Sequence, residues 1–100
     1  MSQFTVTFQQ LTSAIEQLTQ LNSQFKSATG NLESTEAQLC SMWEGQARDT
    51  FDTAFKNDKT QMDNFYNAIQ QYIQVLQENL ARYQKAEAEN ADIASTRKYQ

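Results

Sequence analysis

Ser41-Met42-Trp43-Glu44-Gly45 is the stretch on which the reading of this chain turns. It holds the only tryptophan and one of the two glycines in a 100-residue sequence that has no proline. On both sides of it, apolar residues recur at helical spacing. Upstream they fall at Phe8, Leu11, Ile15, Leu18, Leu21, Phe25, Leu32 and Leu39. Downstream, Phe55, Met62, Ile69, Leu76 and Tyr83 form one unbroken heptad position. Phe51, Phe65, Tyr72 and Ala86 form its companion, interrupted by the polar Asp58 and Asn79. Steps of three, four and seven put such residues on one face of an α-helix. The spacing predicts helices over about 8–40 and about 45–87, with 41–45 as the turn between them.

Local signals set the expected boundaries. Thr7 and Gln10 have the spacing of a capping box, so residues 1–6 read as a loose arm. Ser41, with Glu44 three residues on, reads as the cap of the second helix. Gly45 permits a left-handed backbone at the corner. Trp43 reads either as an aromatic plug closing the end of the core or as part of a recognition surface. Gly30-Asn31 offers a possible break, which would give three helices. The sevenfold phase of Phe25, Leu32 and Leu39 runs through it, so a helical Gly30 is expected. Apolar spacing fades after Glu87, and residues 88–100 read as a flexible tail.

On the first helix the row Leu11, Leu18, Phe25, Leu32 and Leu39 is apolar throughout, and Leu21, Ala28 and Met42 take over on the adjoining position, a drift that reads as a bundle face. The companion of that row begins with Phe8 and Ile15 and turns polar at Asn22, Thr29 and Glu36. On the second helix a third row, Tyr66, Ile73 and Leu80, widens the apolar stripe beyond what one partner helix covers. The expected fold class is therefore all-α: one domain over 1–100, an antiparallel helical hairpin dimerising into an elongated four-helix bundle. Phe55, Met62, Phe65, Tyr66, Ile69, Ile73, Leu76 and Leu80 are the expected dimer or partner contacts.

Composition narrows the function. The net charge is −4 and the pI about 4.6, without the basic stripe that nucleic acid demands. Mean hydropathy is −0.74, and no apolar run is long enough to span a bilayer, so stable membrane insertion is not expected. A membrane-perturbing effector is disfavoured by the acidic, glutamine-rich wet face. No N-terminal stretch has the form of a cleavable signal peptide. There is no histidine and one cysteine, Cys40, which reads as a packing residue, with an intermolecular disulfide or a reactive thiol as the alternatives. Activated nucleophiles, metal sites and cofactor loops are therefore not expected, nor is enzymatic activity. Asp49, Asp52 and Asp63 read as solvated charges, and Asp58 as a register-setting polar residue.

Trp43-Glu44-Gly45 at mid-chain, with Ala47 and Phe51 on the following turns and amphipathic helices on both sides, resembles the hundred-residue Trp-x-Gly family. These are the early-secreted-antigen-like substrates of type VII secretion. Tyr83-Gln84-Lys85-Ala86-Glu87 fits the second signature of that family, Tyr-x-x-x-Asp/Glu. The resemblance covers the whole chain. It implies a small helical hairpin made in the cytoplasm and secreted, folded and without a cleavable signal, as a homodimer or with a paralogue. It also implies a composite export signal: Trp43 and Gly45 from one chain, Tyr83 and Glu87 from the other, read by the type VII membrane ATPase. Gly45 and Tyr83 are about 57 Å apart along one helix, so a single chain cannot bring the two signatures together. The role implied is that of a secretion substrate, virulence or interbacterial-competition factor, or co-secreted partner. The alternative is a cytosolic adaptor or chaperone for the helical region of a larger secreted toxin, with Tyr66, Ile73 and Leu80 as its contact row.

Overall fold

The computed structural model describes the backbone of residues 3–98 and the side chains of residues 6–92. Two helices, α1 (Gln3–Met42) and α2 (Gln46–Lys98), form a helical hairpin joined by Trp43, Glu44 and Gly45. Both exceed their expected bounds. α1 takes in Thr7 and Gln10, so these do not cap it, and the arm expected before Thr7 is helical from Gln3. α2 continues past Glu87, so the expected tail is helical as far as Lys98. Extending an existing helix requires no new nucleus, and Ala88, Glu89 and Ala91 are adequate helix formers. α1 passes through Gly30 without a break.

The chain divides into two compact units, one formed by residues 20–71 around the corner and one by residues 1–19 with 72–100. In the corner unit the helices meet through polar groups. The Asn22 amide donates to the Tyr66 carbonyl at 3.2 Å and to the Gln70 side chain at 3.1 Å. Lys26 lies over the Tyr66 ring, 4.9 Å from its centroid. Phe25 meets Phe65 edge-on at 5.3 Å. In the other unit the buried side chains are apolar: Ile15 on α1 and Ile73 on α2.

The seam differs from the one expected. On α1 the buried row is the polar companion row, with Asn22 at 3 % exposure, Thr29 at 5 % and Glu36 at 9 %. Leu32, on the continuously apolar row, is 51 % exposed. On α2, Ile73 is only 6 % exposed, and Tyr66 and Leu80, in phase with it, are half-buried. The third row therefore faces α1 rather than awaiting another surface. Asp58 is exposed, and the cross-helix polar contact is made by Asn22 instead. Pairing with α2 selects one strip of α1. When hydrogen bonds satisfy that strip, its polarity costs little, and the neighbouring leucines are left outside.

A net hydrogen bond contributes about 1 kcal/mol, whereas fully burying a leucine contributes about 1.5–3 kcal/mol. Among the described residues the buried apolar side chains are Ile15, Cys40 and Ile73, and no large side chain is fully buried. Leu11, Leu21, Leu39, Phe51, Tyr72 and Leu76 are among the exposed large apolar residues. The single chain thus covers much of its apolar stripe only in part.

Candidate functional site

The corner is built from backbone demands first. α1 ends at Met42, and the Trp43 amide reaches back to the Cys40 carbonyl at 3.5 Å. Ser41 does not cap α2. It lies within α1, and its hydroxyl donates to the Gln38 carbonyl at 2.6 Å. The first bond of α2 runs from the Asp49 amide to the Gly45 carbonyl at 3.3 Å, which makes Gly45 the capping residue. Asp49 in the first turn complements the positive end of the helix. Arg48 donates its Nε–H to the Cys40 carbonyl at 3.2 Å, satisfying an end carbonyl of α1.

Gly45 has φ +112°, a conformation that side chains resist. A Cβ there would meet nothing within 4 Å, so the requirement for glycine is conformational rather than one of space. Gly45→Ala is expected to destabilise the fold by about 1–2 kcal/mol, as a lowered thermal unfolding midpoint. Gly45→Asn should cost less, because asparagine tolerates positive φ better.

Trp43 is not a buried plug. The residue is 37 % exposed, its ring lies against Phe51 at 5.8 Å with a 48° tilt, and Phe51 is itself exposed. Met42 beside it is exposed as well. The corner thus presents aromatic surface held in place by a tight turn.

Behind the corner lies a network the sequence did not disclose. The buried Cys40 thiol donates to Glu36 at 3.0 Å and lies 3.9 Å from an Asp52 oxygen. Lys56 pairs with Asp52 at 2.8 Å. Lys59 pairs with Asp63 at 2.7 Å and Glu33 at 4.0 Å. Glu36, Cys40 and Asp52 put one donor atom each within 4.8 Å of one another, the only such trio among the described residues. Lys56 and Arg48 supply positive charge at this point, and the trio forms part of an ion-pair and hydrogen-bond network. Asp52 belongs to α2 and the other two to α1, so no sequence spacing reveals the group.

The network bounds stability on both sides of neutral pH. The Lys56 ammonium, and then a hydrogen bond shared with Glu36, hold the Asp52 carboxyl below its ordinary range. Its contribution is present above 3.8, the ordinary carboxyl value, and is lost as pH falls through the lower folded value. The hydrogen bond to Glu36, then burial, push the Cys40 thiol up. Its neutral form favours the fold below 9.0, the ordinary thiol value, and that advantage is lost as pH rises through the higher folded value. Cys40→Ser is expected to flatten the alkaline limb of a plot of thermal midpoint against pH, and Asp52→Asn the acid limb.

Tyr83 and Glu87 lie on α2 in the other unit, four residues apart on one helix face. Glu87 is half-buried. Tyr83 lines an apolar groove of about 510 Å³ with Leu11, Ile15, Leu18, Leu76 and Leu80. Of the remaining expected contact residues, Phe55, Met62 and Ile69 are half-buried and Phe65 is exposed. The two signatures therefore belong to different units of the chain, Trp43 and Gly45 to one and Tyr83 and Glu87 to the other.

The corner carries Trp-x-Gly between two long helices, and the family model described as proteins of 100 residues with WXG matches residues 3–88. The chain belongs to the WXG100 family. As a WXG100 protein it is a small helical protein of the type VII secretion substrate kind. Members of the WXG100 family commonly pair with themselves or with paralogues, and membership implies secretion. Among the described residues no helix is long and apolar enough to cross a membrane. Comparison with curated proteins and with solved structures gave no match.

Proposed function

We propose that this WXG100 protein is exported folded, as a pair of chains, by a type VII system, and that Trp43 with Gly45 of one chain and Tyr83 with Glu87 of the other form the export signal. The observation that carries the reading is Trp43, exposed at the corner against Phe51 where a core residue would be buried. The partner is a second copy of the chain or a paralogue, and the reader is the membrane ATPase of the system. The uncovered apolar stripe supports pairing, because the buried apolar set within one chain is small.

The test is secretion of Trp43→Ala and Tyr83→Ala from cells that keep a normal intracellular pool. Loss of both from the medium supports the signal, and undiminished secretion of both overturns it. A larger protein that stays bound to the chain inside the cell, with no export of either, would favour the adaptor role instead.

A further inference from the structure

The cluster behind the corner brings both helices to one point. Glu36 and Cys40 stand four residues apart on one face of α1, and Asp52 comes from the second turn of α2. The Cys40 sulfur lies 3.0 Å from Glu36 Oε1 and 3.9 Å from Asp52 Oδ1. A tetrahedral zinc ion separates a sulfur ligand from an oxygen ligand by about 3.6 Å, which falls between those two distances. The other Asp52 oxygen, Oδ2, is held by Lys56 at 2.8 Å, the kind of outer bond that orients a ligating carboxylate. Glu36 has no such cation. It is nine-tenths buried, yet among the described residues no ion pair joins it to a lysine or arginine. The groups that bond it are acids themselves: the Cys40 thiol and, through a shared proton, Asp52. Arg48 does not fill the gap, because its guanidinium is committed to Asp49 and the Cys40 carbonyl. Buried charges are ordinarily paired with an opposite charge or bound to a metal.

We infer that Glu36, Cys40 and Asp52 bind a divalent cation of the zinc class, one ligand atom from each, with the fourth position left to water. On binding, the Cys40 thiol and the shared carboxyl proton are released to solvent, and Sγ and one oxygen of each acid donate a lone pair to the metal. Nothing is oxidised or reduced. The thiolate and two carboxylates carry three negative charges, which the dication and Lys56 together neutralise. A sulfur ligand selects zinc over magnesium and calcium, which take oxygen. Entry is open, because all three residues line a cleft of about 570 Å³. All three also belong to the corner unit, so the site is complete within one chain and depends neither on pairing nor on export. The metal ties the last turns of α1 to the first turns of α2. Its effect reaches the corner through Cys40, whose carbonyl receives both the Trp43 amide and Arg48.

The experiment titrates the full chain, metal-free and with Cys40 kept reduced, with Co²⁺ and then Zn²⁺. Co²⁺ is expected to give a sulfur-to-cobalt charge-transfer band in the near ultraviolet that Zn²⁺ abolishes. Zn²⁺ at about a hundredfold excess over its dissociation constant is expected to raise the thermal midpoint by about 5 °C or more, and Mg²⁺ to leave it unchanged. Cys40→Ser, Asp52→Asn and Glu36→Gln should each weaken zinc binding about tenfold or more in competition with a chromogenic chelator. Asp63→Asn, on the same cleft but paired with Lys59, should bind as the wild type does. A folded, reduced chain that gives no charge-transfer band overturns the inference. So does a zinc affinity that Cys40→Ser and Asp52→Asn leave unchanged, which marks an adventitious ion only. Circular dichroism checks the fold of each variant. If Cys40→Ser unfolds, Asp52→Asn decides, since it keeps the size and shape of the side chain.

Discussion

Trp43→Ala is expected to remove the protein from the medium, a drop of at least tenfold, while its fold survives. The ring lies against Phe51 at 5.8 Å, and the residue is 37 % exposed. Removing such a pair costs roughly 1 kcal/mol. The backbone of the corner is held by other groups: the Trp43 amide on the Cys40 carbonyl, the Arg48 guanidinium on the same carbonyl, and the left-handed Gly45. Phe51→Ala provides the control, because it deletes the same ring contact and keeps the indole. If both variants stay in the cytoplasm, packing at the corner is what export requires. If only Trp43→Ala does, the indole itself is read. Helix content and thermal midpoint of the purified variants check that neither has unfolded.

Phe65→Lys is expected to weaken the proposed pairing of chains. Phe65 is 55 % exposed in the single chain and touches Phe25 by its edge, so a lysine there reaches water in an isolated chain. In a pair whose apolar stripes cover each other, the same ammonium is buried without a partner. That costs about 2 kcal/mol or more, or roughly thirtyfold in dissociation constant. Sedimentation across a concentration series measures it. Asp58→Lys, one heptad upstream at an exposed and already polar position, should change the constant far less. Equal weakening by the two variants would mean that overall charge, and not the Phe65 face, governs association.

Much of the fold was legible in the residues. Absent proline, two sustained heptad patterns and a Trp-x-Gly between them were enough for a helical hairpin. The uninterrupted phase of Phe25, Leu32 and Leu39 correctly carried α1 through Gly30. Helix ends were less legible. Thr7 and Ser41 have the chemistry of caps, but a cap acts only where a helix actually starts or stops, and both residues lie inside α1. The role of Arg48 as partner of the α1 terminus was missed, although a cation just beyond a turn is a usable signal for it.

The corner came through from the sequence as a motif and from the structure as a surface. Trp43, Glu44 and Gly45 mark where one helical pattern stops and the next begins, and the positive φ of Gly45 is what the structure adds at that point. They do not determine whether the indole points into the core. That depends on which strip of α1 faces α2, and hydrophobic periodicity finds the apolar strip without knowing which partner will cover it. Only the tertiary structure decided this. Asn22 finds its acceptors in Tyr66 and Gln70, and Cys40 lies among Glu36 and Asp52. The bonds that run between the helices join residues 12 to 48 positions apart. The sequence therefore determined the two helices and their reversal, because those follow from local propensity and spacing. The polar seam, the exposed stripe and the half-exposed Trp43 were decided by tertiary structure, because they follow from which distant groups satisfy one another.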